Sequence, residues 1–377
     1  MVLLLLRLHK FLLQIYFMKP AHTALTLLLS AGFAFQVHAQ DDNLKLNKIQ
    51  VIGSHNSYKR AIEPALYKVL ESKDSLHQLG GLQYDHIAIE DQLNMGLRNL
   101  EIDIYADSKG GKYAHPKGLD LAKPDNSYDP NGVMNKPGFK IFHVTDIDFR
   151  TWTLTFEDCL QKLKAWSNAH PGHIPVFITL EPKDGDANRF GTVPEMFTSK
   201  LFDEVDAVIK ANLGTDKLIT PDMVRGNYAT LEEAVLKGNW PTLKDAKGKF
   251  FFILDNSDKK RDLYMQGHPS LKGRVVFVNA APGTPEAAAM FRNNPEDKSI
   301  PDLVNKGYII RTRADADTKE ARKNDYTHFT DAKNSGAQII TTDYYKPSQF
   351  FNSPYHIKFD DGTYVRVNPV IGKVTKK

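Results

Sequence analysis

Residues 97–105 read Leu97-Arg98-Asn99-Leu100-Glu101-Ile102-Asp103-Ile104-Tyr105. The strict alternation predicts a β-strand with Leu100, Ile102 and Ile104 on one face and Asn99, Glu101, Asp103 and Tyr105 on the other. A face carrying two acids is costly to bury, so its partner decides the architecture. In an α/β barrel the outer strand face packs on helices and is apolar. The inner face turns polar at the carboxyl ends of the strands, where the chemistry of such barrels sits.

Seven further β-rich runs flank this one, at 48–53, 139–144, 175–181, 250–255, 275–280, 308–313 and 337–343. Helical patterns separate several of them. Phe156, Leu160, Leu163 and Trp166 recur at spacings of three and four behind a Thr155/Asp158 capping box. Met196, Phe197, Leu201, Val205, Val208 and Ile209 form a second stripe closed by Gly214. Eight strands alternating with helices predict a TIM-type (β/α)8 barrel in a single catalytic domain, residues 40–377, with a long loop at 107–138 between the second and third strands.

Composition agrees. The chain has 377 residues, 41% hydrophobic and 25% charged, which excludes a disordered or polytopic membrane protein. A net charge of +4 without a basic run gives no footprint for nucleic acid. The one cysteine, Cys159, excludes a disulfide within the chain and a cysteine-built zinc site. Residues 1–39 carry Arg7, Lys10 and Lys19, no acid, an apolar run from Ala24 to Phe35 and a small-residue site at Val37-His38-Ala39. This pattern predicts a cleaved signal peptide and a secreted or periplasmic product. Met18 is an alternative start, since 18–39 alone has signal-peptide proportions.

Most predicted strands end in polar residues: His55-Asn56, His143, Glu181, Asp255-Asn256, Arg311-Thr312-Arg313 and Asp343. Asn56, Glu101, Asp103 and Glu181 offer only oxygen, a donor set for Ca²⁺ or Mg²⁺ rather than zinc. His55 and His143 can move protons at neutral pH. Arg311 and Arg313 share a strand face and could hold an anionic substrate group. The plainer alternative is a set of buried ion pairs at the barrel rim.

These residues resemble the Ca²⁺-dependent phosphoinositide-specific phospholipase C family, in its secreted bacterial branch. The likeness rests on Ser54-His55-Asn56-Ser57-Tyr58, on Gly96-Leu97-Arg98-Asn99-Leu100-Glu101-Ile102-Asp103, on Phe142-His143 and on Ile178-Thr179-Leu180-Glu181. It extends over most of 47–345. The resemblance implies Ca²⁺ held by Asn56, Glu101, Asp103 and Glu181. It makes His55 the stabiliser of the phosphate and His143 the general acid, with Glu101 or Glu181 as base. It also implies a phosphoinositide lipid substrate at a membrane surface, with no obligate protein partner evident. The reaction would be attack of the inositol 2-hydroxyl on its own phosphodiester, giving a cyclic inositol phosphate and diacylglycerol. Eukaryotic members place ring-phosphate lysines at the end of the fifth strand, where this chain has Asp255; this points to unphosphorylated phosphatidylinositol, or another phosphodiester, rather than the bisphosphate.

Two other functions compete. A glycerophosphodiester phosphodiesterase-like enzyme also uses two histidines and oxygen ligands, but its first strand ends His-Arg-Gly where this chain has His55-Asn56-Ser57. A non-catalytic binding barrel would not need both histidines and four ligand positions. His115 and Lys117 in the long loop read equally as substrate contacts or as a solvated insertion. Tyr344, Tyr345, Tyr355, Phe350 and Phe351 read as a lipid-facing patch or as a cap on the barrel end.

Overall fold

The computed structural model describes residues 42–75, 78–122, 127–185 and 191–372. The predicted signal peptide at 1–39 lies outside them. Ten strands occur among the described residues: β1 Ile49–Ser54, β2 Asn99–Asp107, β3 Gly138–Lys140, β4 Val176–Pro182, β5 Phe250–Leu254, β6 Val276–Val278, β7 Ala289–Phe291, β8 Ile309–Arg313, β9 Ile339–Thr342 and β10 Val365–Val367. Eight of them are parallel staves in the order β6-β5-β4-β2-β1-β9-β8-β7. Between β6 and β7 a single parallel bridge, Asn279 to Ala289, closes the ring. The Asn279 side chain reinforces it, its Oδ1 accepting from the Phe291 amide at 3.1 Å. The predicted (β/α)8 barrel is therefore correct.

One predicted stave is not a stave. Residues 139–144 were expected as the third barrel strand, but β3 is short and runs antiparallel to β2, pairing Tyr105 with Lys140 and Asp107 with Gly138. The chain then turns back on itself, with bridges from Lys140 to Thr155 and from Val144 to Asp148. The missing stave is β7. Its Ala289-Met290-Phe291 has no β-branched residue and follows two alanines, so it carries no strand signature.

The alternation in β2 works as predicted. Leu100, Ile102 and Ile104 share a buried apolar cluster with Cys159, Leu160 and Leu163 of the helix Phe156–Ala169 and with Val205 and Ile209 of the helix Ser199–Leu213. Thr155 caps the first of these helices, accepting from the Asp158 amide at 3.2 Å. The opposite face, with Asn99, Glu101 and Asp103, is equally buried. Gly53 permits the β1–β2 contact, since a Cβ there would lie 2.1 Å from the Asn99 carbonyl oxygen.

Two satellite clusters shape the ends of the barrel. Tyr344 and Tyr355 are buried with Ile52, Ile340 and Phe359, so these tyrosines cap the barrel rather than face lipid. The long loop builds its own core, in which Tyr113, Tyr128 and Met134 pack with Phe142 and Phe149. Phe142 stacks on Tyr105 of β2 at 4.1 Å. The loop thus fixes the segment that carries His143.

Candidate active site

His55 follows β1 directly. Its Nδ1 lies 2.8 Å from Asp343 Oδ1, at the end of β9, which fixes the ring. Asp343 is fixed in turn, because its amide donates to Asp315 Oδ1 at 2.8 Å. With Nδ1–H given to Asp343, Nε2 faces Glu101 Oε1 at 3.5 Å. Burial, then the positive charges of Arg313 and Arg311, push the His55 pKa well below its ordinary value. Its ring is therefore neutral at pH 7.

His143 reaches the same mouth from the β3 hairpin rather than from a stave. Its Nδ1 lies 2.8 Å from Asp148 Oδ2. Tyr105 donates its hydroxyl to the His143 carbonyl at 2.8 Å. His143 is near enough to His55 for its charge to contribute to the lowering there. Both histidines therefore use the same device, a buried aspartate on Nδ1 that leaves Nε2 for the reaction.

The carboxylates gather on the other side. Oxygens of Glu101, Glu181 and Asp255 all lie within 4.8 Å of one another. Burial pushes Glu101 up to about 7, against the opposing pull of Arg311. Asp255 is also raised by burial. Asp103 is completely buried, neither of its oxygens has a hydrogen bond, and burial raises it well above the usual carboxylate range. Lys183 approaches Asp103 Oδ2 at 3.4 Å and Glu181 Oε1 at 2.9 Å. Burial works against the charge of Lys183, yet Asp103 and Glu181 raise its pKa. Asn56 adds an amide whose Nδ2 donates to Tyr84 Oη at 2.7 Å and whose Oδ1 accepts from Tyr58 Oη at 3.2 Å. It stands in the left-handed region at φ 48°. Clustered carboxylates with orphaned buried oxygens fit a hard divalent cation.

The two arginines are placed differently from each other. Arg311 is buried, with Nη2 at 2.5 Å from Glu101 Oε2 and Nη1 bonded to Asn293 Oδ1. Arg313 lies 3.3 Å from His55 Nδ1 and 3.8 Å from Asp343 Oδ2, with part of its side chain open. Arg313 is thus the arginine with free surface toward a ligand. His115 turns away to pair with Asp120 at 2.8 Å, both largely exposed.

Asp148 and Lys183 were not picked out from the sequence, and Asp343 and Asp255 were named there as strand ends but not as neighbours of His55 and Glu101. Strand parity contains signals for two of them. Lys183 and Asp343 continue the inward faces begun by Thr179–Glu181 and Thr341. Asp148 has no such signal, since it acts across a hairpin.

Comparison with known proteins agrees with this fold. The profile of the family described as "Phosphoinositide phospholipase C, Ca2+-dependent" matches residues 44–369. Among solved structures, a calcium-dependent phosphoinositol-specific phospholipase C of the Gram-negative bacterium Pseudomonas sp. aligns with a TM-score of 0.51 at 17% identity, covering 86% of this chain and 95% of that one. The Ca²⁺-dependent phosphatidylinositol-specific phospholipase C of Streptomyces antibioticus aligns with a TM-score of 0.50 at 19% identity, covering 80% and 95%. At such identities the likeness is one of fold. No curated protein matches the chain.

Proposed function

The chain belongs to the family of Ca²⁺-dependent phosphoinositide phospholipases C, which are phosphoric diester hydrolases, and we propose that it cleaves phosphatidylinositol by attack of the inositol 2-hydroxyl, giving a cyclic inositol phosphate and diacylglycerol. One observation carries this reading: two histidines, each fixed by a buried aspartate, meet an all-oxygen carboxylate cluster at the barrel mouth.

Ca²⁺ would be held by Asn56, Glu101, Asp103 and Glu181, with Asp255 as a further carboxylate beside them, and bound there would acidify the attacking hydroxyl and offset phosphate charge. Glu101 or Glu181 accepts the hydroxyl proton. Arg313 donates to the phosphate, and His55, which takes up a proton at Nε2 when the phosphate charge arrives beside it, donates to it as well. His143 gives its proton to the leaving glycerol oxygen, and Asp148 stabilises the charged ring before transfer.

Asp255 lies among the carboxylates, and Lys260 is paired with Asp184 at 3.0 Å. Neither offers a cation to a ring phosphate, which supports unphosphorylated phosphatidylinositol as the substrate. Trp152, Val193 and Met196 are exposed apolar side chains. Trp152 belongs to the His55 side, since its Nε1 donates to the His86 carbonyl and His86 Nε2 donates to that of His55. These side chains suit contact with a lipid surface. No described helix is long and apolar enough to cross a membrane. The leader pattern supports export.

The test is phosphorus NMR of the products from phosphatidylinositol and from its 4,5-bisphosphate in mixed micelles. A cyclic inositol phosphate signal and faster turnover of phosphatidylinositol are expected. Direct release of the acyclic phosphate, or preference for the bisphosphate, would overturn the reading.

A further inference from the structure

Lys59 has no place in the chemistry above, yet it is wholly buried beneath it. It lies just past Ser54-His55-Asn56-Ser57-Tyr58 in the sequence. A buried ammonium needs compensation on every side. Lys59 Nζ finds Asp148 Oδ1 at 3.3 Å, the Tyr84 carbonyl at 2.9 Å and the Leu82 carbonyl at 3.1 Å. It also lies 4.6 Å from the centre of the Tyr84 ring.

Two of these partners, Asp148 and Tyr84, support reacting groups. Asp148 holds His143 with its other oxygen. Tyr84 receives the Asn56 amide and stacks on His55 with ring centres 6.1 Å apart. The Lys59 carbonyl also accepts from the His86 amide at 3.0 Å, and His86 is the residue that grips the His55 carbonyl. One side chain thus joins the β3 hairpin to the end of β1, two segments that are not neighbouring staves.

We propose that Lys59 is a positioning residue: its ammonium shares the Asp148 carboxylate with His143 and so sets both the place of the His143 ring and the ease with which it gives up its proton. The general-acid role of His143 is taken from the proposed function; the sharing of Asp148 does not depend on it. The charged and titratable groups around His143 are Asp148 on its own hairpin, Lys59 behind Asp148, Tyr105 on β2, His55 after β1 and Asp343 after β9. Of these only Lys59 competes with His143 for Asp148. Without Lys59 the whole carboxylate charge falls on the imidazole, which then holds its proton more tightly.

The experiment compares wild type, Lys59→Gln and Lys59→Arg, following His143 ring signals by NMR against pH in the full mature chain. Gln keeps an N–H donor, on a side chain one atom shorter, and removes the charge, and Arg restores the charge. The titration midpoint of His143 should rise by about one pH unit in Lys59→Gln and return towards wild type in Lys59→Arg. Turnover of phosphatidylinositol should fall about tenfold in Lys59→Gln, and turnover of an aryl phosphodiester, which needs little protonation, should fall less. An unmoved midpoint in folded Lys59→Gln would overturn the proposal. Should that variant not fold, Asp148→Asn provides the same test, because Lys59→Met added to it should leave the midpoint where Asp148→Asn put it. A further shift there would overturn the proposal. A midpoint that moves while both substrates slow equally would overturn the acid role of His143 and leave the positioning role standing.

Discussion

The barrel mouth has two unlike halves. On the histidine side His55 and His143 rest on Asp343 and Asp148 at 2.8 Å, and Asp148 meets Lys59 as well. On the carboxylate side Glu101, Glu181 and Asp255 crowd within 4.8 Å, and the Asp103 oxygens have no hydrogen bond. Lys183 and Arg311 enter this half and offset only part of its charge. Each histidine ring has its own aspartate, although Asp148 Oδ1 also lacks a hydrogen bond, whereas the carboxylate half gathers more negative charge than its cationic side chains offset and suits a bound cation.

The largest effects should come from the first half. His55→Ala and His143→Ala are each expected to lower turnover by about two to four orders of magnitude, measured on phosphatidylinositol vesicles with Ca²⁺ saturating. A substrate with a good leaving group should rescue His143→Ala more than His55→Ala. Equal rescue would show that the two rings do not divide the work as assigned.

Substitutions in the second half should act on metal affinity first. Isothermal titration with Ca²⁺ should show Glu101→Gln, Glu181→Gln and Asp103→Asn weakening binding by about ten- to a hundredfold, with the fold kept by Leu100, Ile102 and Ile104 on the outer face. Asp255→Asn should weaken it by about tenfold if Asp255 belongs to the metal cluster. Unchanged affinity in that variant would return Asp255 to the role of a bystander.

The smallest effects should be on stability, and the halves should oppose each other. Glu101 is pushed up to about 7 and Asp103 and Asp255 are raised too, so the folded, metal-free state binds extra protons. The Glu101 contribution is present below about pH 4.5 and is lost as pH rises through 7, at about 1.4 kcal/mol per pH unit inside that window, and the contributions of Asp103 and Asp255 are lost in the same direction as pH rises. His55 is lowered and His86 falls to about 4, both by burial, so their contribution is present above about pH 6.5 and lost as pH falls toward 4. Thermal melts in chelator should show Asp103→Asn more stable than wild type at pH 7.5, and the advantage should vanish at pH 4.5. Excess Ca²⁺ should reverse the order at pH 7.5, because wild type then binds the ion more tightly.

How much of this was visible in the sequence differs between the halves as well. Period-2 alternation in β2 exposed Glu101 and Asp103 at once, because packing demands an apolar outer face. The same parity would have extended Glu181 to Lys183. The stave Ala289–Phe291 was illegible, since a three-residue strand of Ala, Met and Phe is defined by its neighbours rather than by its own preferences. The pairing of Asp148 with His143 and Lys59 was hidden for a related reason. It depends on a hairpin whose turn is set by packing against the long loop, and no local spacing encodes that.

The central claim is that the carboxylate half works only with Ca²⁺. Turnover of phosphatidylinositol by the purified protein, measured in excess chelator and again after Ca²⁺ or Mg²⁺ is restored, tests it most directly. The account predicts loss of activity in chelator, full recovery with Ca²⁺ and poor recovery with Mg²⁺, which demands tighter octahedral geometry. Full activity in excess chelator would contradict it.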